Sequence, residues 1–412
     1  MKILHINQTD TVGGAAIGVY RLHQGLLAQG IDSRFLVSMV STSSERIAAI
    51  PPRRRIDYQI RRLTRGFGFN DIHLTSTFDI LKHPFYQEAD VLHFHNLHTE
   101  YFNYLALPSL TKNKPGILTL HDMWGMTGHC AYSFDCDRWK IGCGKCPYPD
   151  TYPAIQRDNT HWEWKLKKSA YSRSNLLAVV TTSHWLAEQA KQSMLNCFPV
   201  HRIPYSIDTE AYQPLDSEQC RALLGISAGK RVLMFGAQHL TDPRKGGDLL
   251  LKALSRLPES LKAETVLLTL GKGGEAIAQT VGMQSLNLGF VASDRLKSIA
   301  YSAADLFLFP TRADAFGLVA QEAMACGTPT VAFKIAGVPD LVRPGITGYL
   351  AEPENAEDFC NGIVQLLEDQ DLWQQLAQQC RAIVLAEYRL ELQAKAYIEL
   401  YRQALGNSSA MV

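Results

Sequence analysis

The sequence predicts an α/β protein made of two doubly wound, Rossmann-like domains that face each other across a cleft. Three observations predict it. Apolar runs of strand length alternate with segments of helical period from end to end, the pattern of parallel sheets wrapped by helices. The alternation breaks once, over 203–214, where Pro204 and Pro214 and the lack of a clean period mark a connection, and then it restarts. A chain of 412 residues is too long for one ordinary core and suits two.

In order, the first unit reads as a strand at 2–6, a Gly13-Gly14 turn and a helix near 15–29 that ends at Gly30. A strand near 33–38 follows, and 89–95, 116–120 and 176–181 read as further buried strands. Beyond the connection, strand 231–236 leads through a loop into a helix near 246–256. Strand 265–270 ends at Gly271, and strand 305–309 ends at Pro310. A helix at 318–326 precedes strand 329–333, and the tail from about 356 to 405 is helical. The expected domains are 1–205, carrying a cysteine-rich loop at 129–147 and joined by a C-terminal helix at about 388–412, and 206–387. Ligands of such sheets sit beyond the carboxyl ends of the strands.

Composition narrows the classes. Apolar residues make up 46% and charged residues 20%, which is globular rather than disordered. A net charge of +1 gives no global field for nucleic acid. No apolar stretch is long enough to span a bilayer, and the N-terminal apolar run is too short for a secretory signal, so a cytoplasmic enzyme is expected.

The most informative segment runs from Thr311 to Gly327. A strand ends at Pro310, a loop holding Asp314 and Gly317 follows, and a helix begins near Leu318. Such a loop presents backbone N–H groups at a helix N-terminus, where the dipole favours a diphosphate. Asp314 stands at the edge of the loop and Glu322 about two turns further at most, and carboxylates accept hydrogen bonds from hydroxyls. An acidic loop before an ordinary amphipathic helix would look similar for Glu322 alone. The whole string resembles the family 4 glycosyltransferases, whose signature is an acid, seven residues and then Glu, with Phe-Gly after the first acid and a small-residue helix ending in Cys-Gly-x-Pro. Asp314 stands where that family usually has Glu. The resemblance implies the two-domain GT-B fold, a nucleotide-sugar donor and retention of anomeric configuration. It implies that Asp314 touches the donor sugar, that the Phe316-Gly317-Leu318 backbone holds the diphosphate, and that Glu322 holds the ribose. Gly337-Val338-Pro339-Asp340 and Thr347-Gly348 extend it.

The loop after strand 231–236 carries Arg244 and Lys245, then Gly246-Gly247 at a helix start. Two cations there can neutralise a leaving nucleoside diphosphate; a solvated basic loop would look the same. By the resemblance Lys245-Gly246 is the family's Lys-Gly, while Ala237 replaces its usual Arg. Small residues at Gly13-Gly14 let a backbone approach a ligand closely, although such a pair is often only a turn. The resemblance places Gly14 near the donor phosphates and His121, after strand 116–120, against the donor sugar. His93 and His95 share a face by alternation. With His98 they are expected to line the cleft as polar groups rather than to bind metal.

Two features stand outside the general family pattern. Cys130, Cys136, Cys143 and Cys146 form a Cys-x5-Cys-x6-Cys-x2-Cys set suited to a structural zinc, with disulfides, an iron–sulfur cluster or free thiols as rivals. The loop resembles that of a subgroup of polysaccharide-assembly transferases and is expected to shape the acceptor side. The segment from Arg53 to Arg65 holds six arginines, with Ile56, Ile60 and Leu63 at helical spacing. Such a helix suits an anionic membrane, or equally a solvated face laced with salt bridges. The expected activity is transfer from a nucleotide sugar to a saccharide or lipid-linked acceptor in exopolysaccharide, lipopolysaccharide or other cell-envelope glycan synthesis. The enzyme would be cytoplasmic, with peripheral attachment at the inner face of the membrane. No Asp-x-Asp metal motif is read in the chain, so no catalytic divalent ion is expected. A sugar phosphorylase or epimerase, or an inactive scaffold, would share the two-domain plan.

Overall fold

A computed structural model describes residues 1–51 and 53–409, with side chains to Gly406. Pro52, at the head of the basic segment, and the last three residues of the expected C-terminal helix lie outside the described residues. The chain divides into two compact units. One is Met1–Pro204 together with the helix from Leu390, and the other is Tyr205–Arg389.

The first unit holds seven parallel strands: β1 (Lys2–Thr9), β2 (Asp32–Met39), β3 (Ile47–Ala49), β4 (Val91–His95), β5 (Gly116–Leu120), β6 (Leu176–Thr181) and β7 (Val200–Arg202). Their order across the sheet is β3-β2-β1-β4-β5-β6-β7. The second unit holds β8 (Arg231–His239), β9 (Thr265–Lys272), β10 (Gln284–Asn287), β11 (Leu306–Phe309), β12 (Thr330–Phe333) and β13 (Gly348–Ala351), ordered β10-β9-β8-β11-β12-β13. Both sheets are parallel throughout and wound in the same double sense. The strand order reverses between β1 and β4 and again between β8 and β11. Ligands of such sheets bind at these switch points, beyond the strand ends.

The central strands are apolar on both faces because helices cover both. In the second unit Val232, Met234, Val266, Leu268, Phe307 and Phe309 enter one core, while Leu233, Phe235, Leu267, Leu306 and Leu308 enter the other. That is the alternation of a strand, with both faces buried. In the first unit Ile3, Val91, Ile117 and Val180 pack with Leu22 and Leu26 of helix Gly14–Ala28 and with Tyr397 and Tyr401 of helix Leu390–Ser409.

The strands not expected from the sequence are β3, β7, β10 and β13. They are the four edges of the two sheets. Each has three or four residues and pairs on one side only, so none needs a continuous apolar run, and the apolar run was the signal available.

Histidine is distributed unevenly. Of thirteen, only His239 lies in the second unit. In the first unit His5, His93 and His95 are sealed in the core, and burial drives their protonation well below the ordinary range. Burial also lowers His23 and His121 to about 4. A histidine with a depressed folded pKa stays neutral in the fold, while the unfolded chain takes up a proton as pH falls through about 6.5. Its contribution to stability is therefore complete above about 6.5 and is lost as pH falls from there towards 4. Each such group removes up to about 1.4 kcal/mol per pH unit in that window. The first unit should therefore unfold at clearly lower denaturant concentration at pH 5.5 than at pH 7.5, with the second unit much less affected. Tryptophan fluorescence, dominated by Trp124, Trp139, Trp162, Trp164 and Trp185 of the first unit, checks the shift.

Candidate active site

In the second unit two loops meet at the switch point. One leaves β8 and closes with the short 3-10 turn Pro243–Lys245, which Asp242 caps through Arg244 N–H at 2.9 Å. The other leaves β11 at Pro310 and ends at helix Leu318–Ala325. They are stitched together by Arg312 N–H, which donates to the Arg244 carbonyl at 2.8 Å, and by Thr311 Oγ1, which donates to the same oxygen at 3.1 Å. Gly246 permits the approach. Its φ is +72°, and a Cβ there would stand 1.9 Å from the Pro310 carbonyl oxygen.

This approach brings three of the sequence-derived residues together. Lys245 Nζ donates to Asp314 Oδ2 at 2.9 Å, and an Arg244 guanidinium nitrogen lies 3.7 Å from the same oxygen. Arg244 also donates to the Ala313 carbonyl at 2.9 Å. Burial opposes ionisation of Asp314, but the charges of Lys245 and Arg244 outweigh it, and hydrogen bonds from Lys245 and the Phe316 N–H add to them. The carboxyl is held below its ordinary range. Burial lowers the Lys245 ammonium, against the pull of Asp314. Asp314 thus answers the two cations, and no sugar contact is needed to explain its ionisation.

Helix Leu318–Ala325 has Gly317 at its N-cap, with φ +101° and no side-chain cap. Ala320 N–H turns back to the Gly317 carbonyl at 3.0 Å, which leaves the N–H groups of Leu318 and Val319 for a ligand or solvent. Phe316 is buried edge-on against Tyr205 at 5.3 Å and Tyr388 at 6.0 Å, so its ring is core and only its backbone can serve a ligand. Glu322 is buried on the same helix and accepts from Tyr301 Oη at 3.2 Å. Two supports were not visible in the sequence. Tyr301 comes from helix Asp294–Ala303, and Gly337 N–H donates to the Asp314 carbonyl at 3.0 Å. The second explains why Gly337-Val338-Pro339-Asp340 belongs with the site. Arg312 is a clamp, paired with Asp248 and Glu354.

In the first unit Gly14 opens helix Gly14–Ala28 after β1, and Gly13 holds the N-cap at φ +94°. His121 follows β5 and is 8% exposed. It meets His95, whose Nδ1 lies 3.0 Å from His121 Nε2. His93 and His95 do share a face, with ring centroids 3.9 Å apart, but they do not line an opening. His93 is covered by Tyr397 and Tyr401 of the C-terminal helix, and His95 lies between His5 and His121. The return of the C-terminal helix to this sheet buries His93, and neighbouring strands enclose His95, neither of which strand alternation alone reveals. His98 is also buried and pairs with Asp122 at 3.1 Å.

The cysteine loop follows His121. Cys143 Sγ accepts from Gly128 N–H at 3.2 Å, and His129 Nε2 lies 3.2 Å from Cys146 Sγ. Burial raises the thiols of Cys130 to about 12 and of Cys143 to about 11, and neighbouring cysteines add to it. Lys167 anchors the segment leading into the loop by donating to the carbonyls of Trp124 at 2.9 Å and Thr127 at 3.1 Å. Among the described residues, the group of three or more His, Cys, Asp or Glu ligand atoms lying within 4.8 Å of one another is His5, His93 and His95, not the four cysteines. Asp-x-Asp spacings do occur, at Asp135/Asp137 and Asp369/Asp371. Neither belongs to the switch point. Asp137 pairs with Lys140 in the cysteine loop, and Asp369 caps helix Gln370–Glu387.

Replacing Gly246 by Ala should cost at least about 2 kcal/mol, from the left-handed backbone and the overlap with Pro310. Chemical denaturation followed by circular dichroism measures this, and an unchanged midpoint would show that the two loops are free to separate.

Comparison with known proteins follows the division into units. Residues 12–211 match the family model described as Glycosyltransferase Family 4, and residues 222–382 match that of Glycosyl transferases group 1. Over 349 residues the chain is 28% identical to a protein of Escherichia coli (strain K12) assigned to colanic acid biosynthesis as glycosyl transferase WcaC, across 81% of this chain and 83% of that one. It is 31% identical to the D-inositol 3-phosphate glycosyltransferase of Mycobacterium leprae (strain Br4923) over 215 residues, 50% of this chain and 49% of the relative. The crystal structure of Anabaena HepE in complex with UDP has a similar fold, with a TM-score of 0.69 and 18% identity over 98% of this chain and 100% of that one. With two Rossmann-like units, each carrying its family's segment, the chain belongs to the family 4 glycosyltransferases and has the GT-B fold.

Proposed function

We propose that the protein is a retaining transferase that takes a sugar from a nucleoside diphosphate and passes it to a saccharide or lipid-linked acceptor in the synthesis of a cell-envelope polysaccharide. The observation that carries this reading is the pairing of Lys245 and Arg244 with Asp314 below an uncapped helix N-terminus at the β8/β11 switch point. Two cations and the N–H groups of Leu318 and Val319 suit a diphosphate, whose charge grows as the glycosidic bond breaks. Glu322, buried four residues into that helix, suits the ribose hydroxyls. The UDP bound to HepE and the polysaccharide assignment of the Escherichia coli relative support the donor class and the pathway class.

In this reading the bond between the anomeric carbon and the phosphate oxygen breaks, and the acceptor oxygen bonds to that carbon from the same face. The acceptor proton passes to the departing phosphate oxygen. No protein base is required, and Lys245 and Arg244 compensate the charge that a divalent ion would otherwise meet. His121 is assigned a contact with the sugar being transferred, and Gly14 an approach to the phosphates. Calorimetry with UDP, GDP and ADP should show binding of one of them. Lys245→Met should lower turnover about 100-fold or more with the fold retained. Chelator should leave turnover unchanged. Failure of all three nucleotides to bind would overturn the reading.

We further propose that the cysteine loop holds one structural zinc through Cys130, Cys136, Cys143 and Cys146. Burial and neighbouring cysteines raise the thiols of Cys130, Cys143 and Cys146, and a metal would displace their protons; Gly128 N–H, which donates to Cys143 Sγ, suits a thiolate ligand. The sulfurs must draw closer to share an ion. Elemental analysis should find about one zinc per chain, lost on Cys143→Ser with Cys146→Ser; a metal-free wild type would refute it.

The basic helix Arg55–Gly66 supports attachment to an anionic membrane surface. Ile56, Leu63 and Phe67 are exposed rather than packed on the protein. Arg53 and Arg61 pair with Glu100 and Arg54 with Asp79, whereas Arg55, Arg62 and Arg65 are exposed with no ion pair among the described residues. Sedimentation with phosphatidylglycerol vesicles should fall sharply for Leu63→Asp with Arg62→Glu, and equal sedimentation would dismiss the idea.

A further inference from the structure

Three neighbouring strands of the first unit each contribute a histidine to one buried row. His5 of β1 has Nδ1 3.1 Å from His95 Nε2, and His95 of β4 has Nδ1 3.0 Å from His121 Nε2, just beyond β5. The row runs from the sealed core at His5 to the strand ends at His121. His93 stands beside it with both ring nitrogens engaged, Nδ1 to Tyr401 Oη at 2.7 Å and Nε2 to Thr119 Oγ1 at 2.7 Å.

A neutral imidazole has one donor and one acceptor nitrogen. Burial keeps His5, His95 and His121 neutral near pH 7. Both nitrogens of His95 are used within the row, so the two bonds must run the same way, and only two arrangements exist. If protons point inward, from His121 to His95 to His5, then His5 must carry its own proton on Nε2. That atom is buried and has no hydrogen-bond partner among the described residues. If protons point outward, His5 Nε2 is a bare lone pair. A buried orphan N–H is the rarer and costlier of the two.

We propose that His5 and His95 act as positioning residues that fix the tautomer of His121, with His5 Nδ1–H donating to His95 Nε2 and His95 Nδ1–H donating to His121 Nε2. His121 then carries its proton on Nδ1. It is a hydrogen-bond donor at that nitrogen, and its Nε2 is occupied and closed to proton abstraction. This deepens the assignment of His121 to a sugar contact and rests on it: the ring offers a donor to a hydroxyl or ring oxygen and does not act as a base. A metal ion shared by His5, His93 and His95 would require these bonds to break and would bury a divalent charge with no anionic ligand.

The test uses the full chain labelled with 15N-histidine, with His121 assigned by its loss in His121→Asn. Two-bond 1H–15N spectra at pH 7.5 should show a protonated Nδ1 and a lone-pair Nε2 for His121. His95→Leu should abolish this single tautomer and lower kcat on the order of tenfold, the worth of one hydrogen bond, with little change in KM for the donor. His95→Asn places an amide N–H where Nδ1 stands and should restore both the spectrum and most of kcat. A protonated Nε2 on His121 in the wild type would overturn the proposal. So would equal behaviour of the Leu and Asn variants with circular dichroism unchanged, or stoichiometric metal in the wild type that His95→Leu alone removes. If His121→Asn keeps full turnover, the sugar contact fails instead, and the spectrum still decides the relay.

Discussion

The paired loops of the second unit depend on one contact of backbone with backbone, where Gly246 lies against Pro310. Two loops that leave different strands of one sheet carry unpaired peptide groups and opposite charges, and they can share a site only if nothing stands between them. The absence of a Cβ at residue 246 meets that condition. Once the loops touch, Arg312 N–H and Thr311 Oγ1 satisfy the Arg244 carbonyl, and Lys245 falls within hydrogen-bonding distance of Asp314. Burial penalises a lone ammonium or carboxylate heavily, so each of these charges is stable there because of the other. The geometry of the cations therefore follows from a steric fact about one glycine.

The first unit relies on neutral polar groups instead. Its central strands carry His5, His93 and His95 where a parallel sheet usually carries Val or Ile. Imidazoles can be buried there because each finds a partner across the ladder or on the returning C-terminal helix. One result is an acid-sensitive core. Another is a row of hydrogen-bonded imidazoles that reaches the strand ends at His121, to which the proposed relay gives one direction. Stability and placement of a polar side chain come from the same bonds.

In the proposed function the two units would meet the demands of sugar transfer by different means. Fixed cations and helix N–H groups of the second suit phosphate charge. Neutral, directional donors in the first suit hydroxyl groups, which carry no charge and must be recognised by the direction of their hydrogen bonds. The cysteine loop at 129–147 follows His121 in the chain, and the buried Lys167 anchors the segment that leads into it.

By itself the sequence determined the class of fold, the central strands and the loop of Asp314 and Glu322, because those features are local. A buried parallel strand is a continuous apolar run, and a loop that opens a helix announces itself through Gly317 and the small residues after it. The edges β3, β7, β10 and β13 were not legible, since pairing on one side leaves little hydrophobic signature. Neither was the burial of His93 and His95, which alternation placed correctly on one face without saying what covers it. Tertiary structure decided that a helix from the far end of the chain, bearing Tyr397 and Tyr401, closes over His93, and that His5 and His121 enclose His95. It also decided that Asp314 answers Lys245 and Arg244, across nearly seventy residues of sequence. Long-range pairing has no local pattern to read, because the energy that selects it appears only when both partners have left water together.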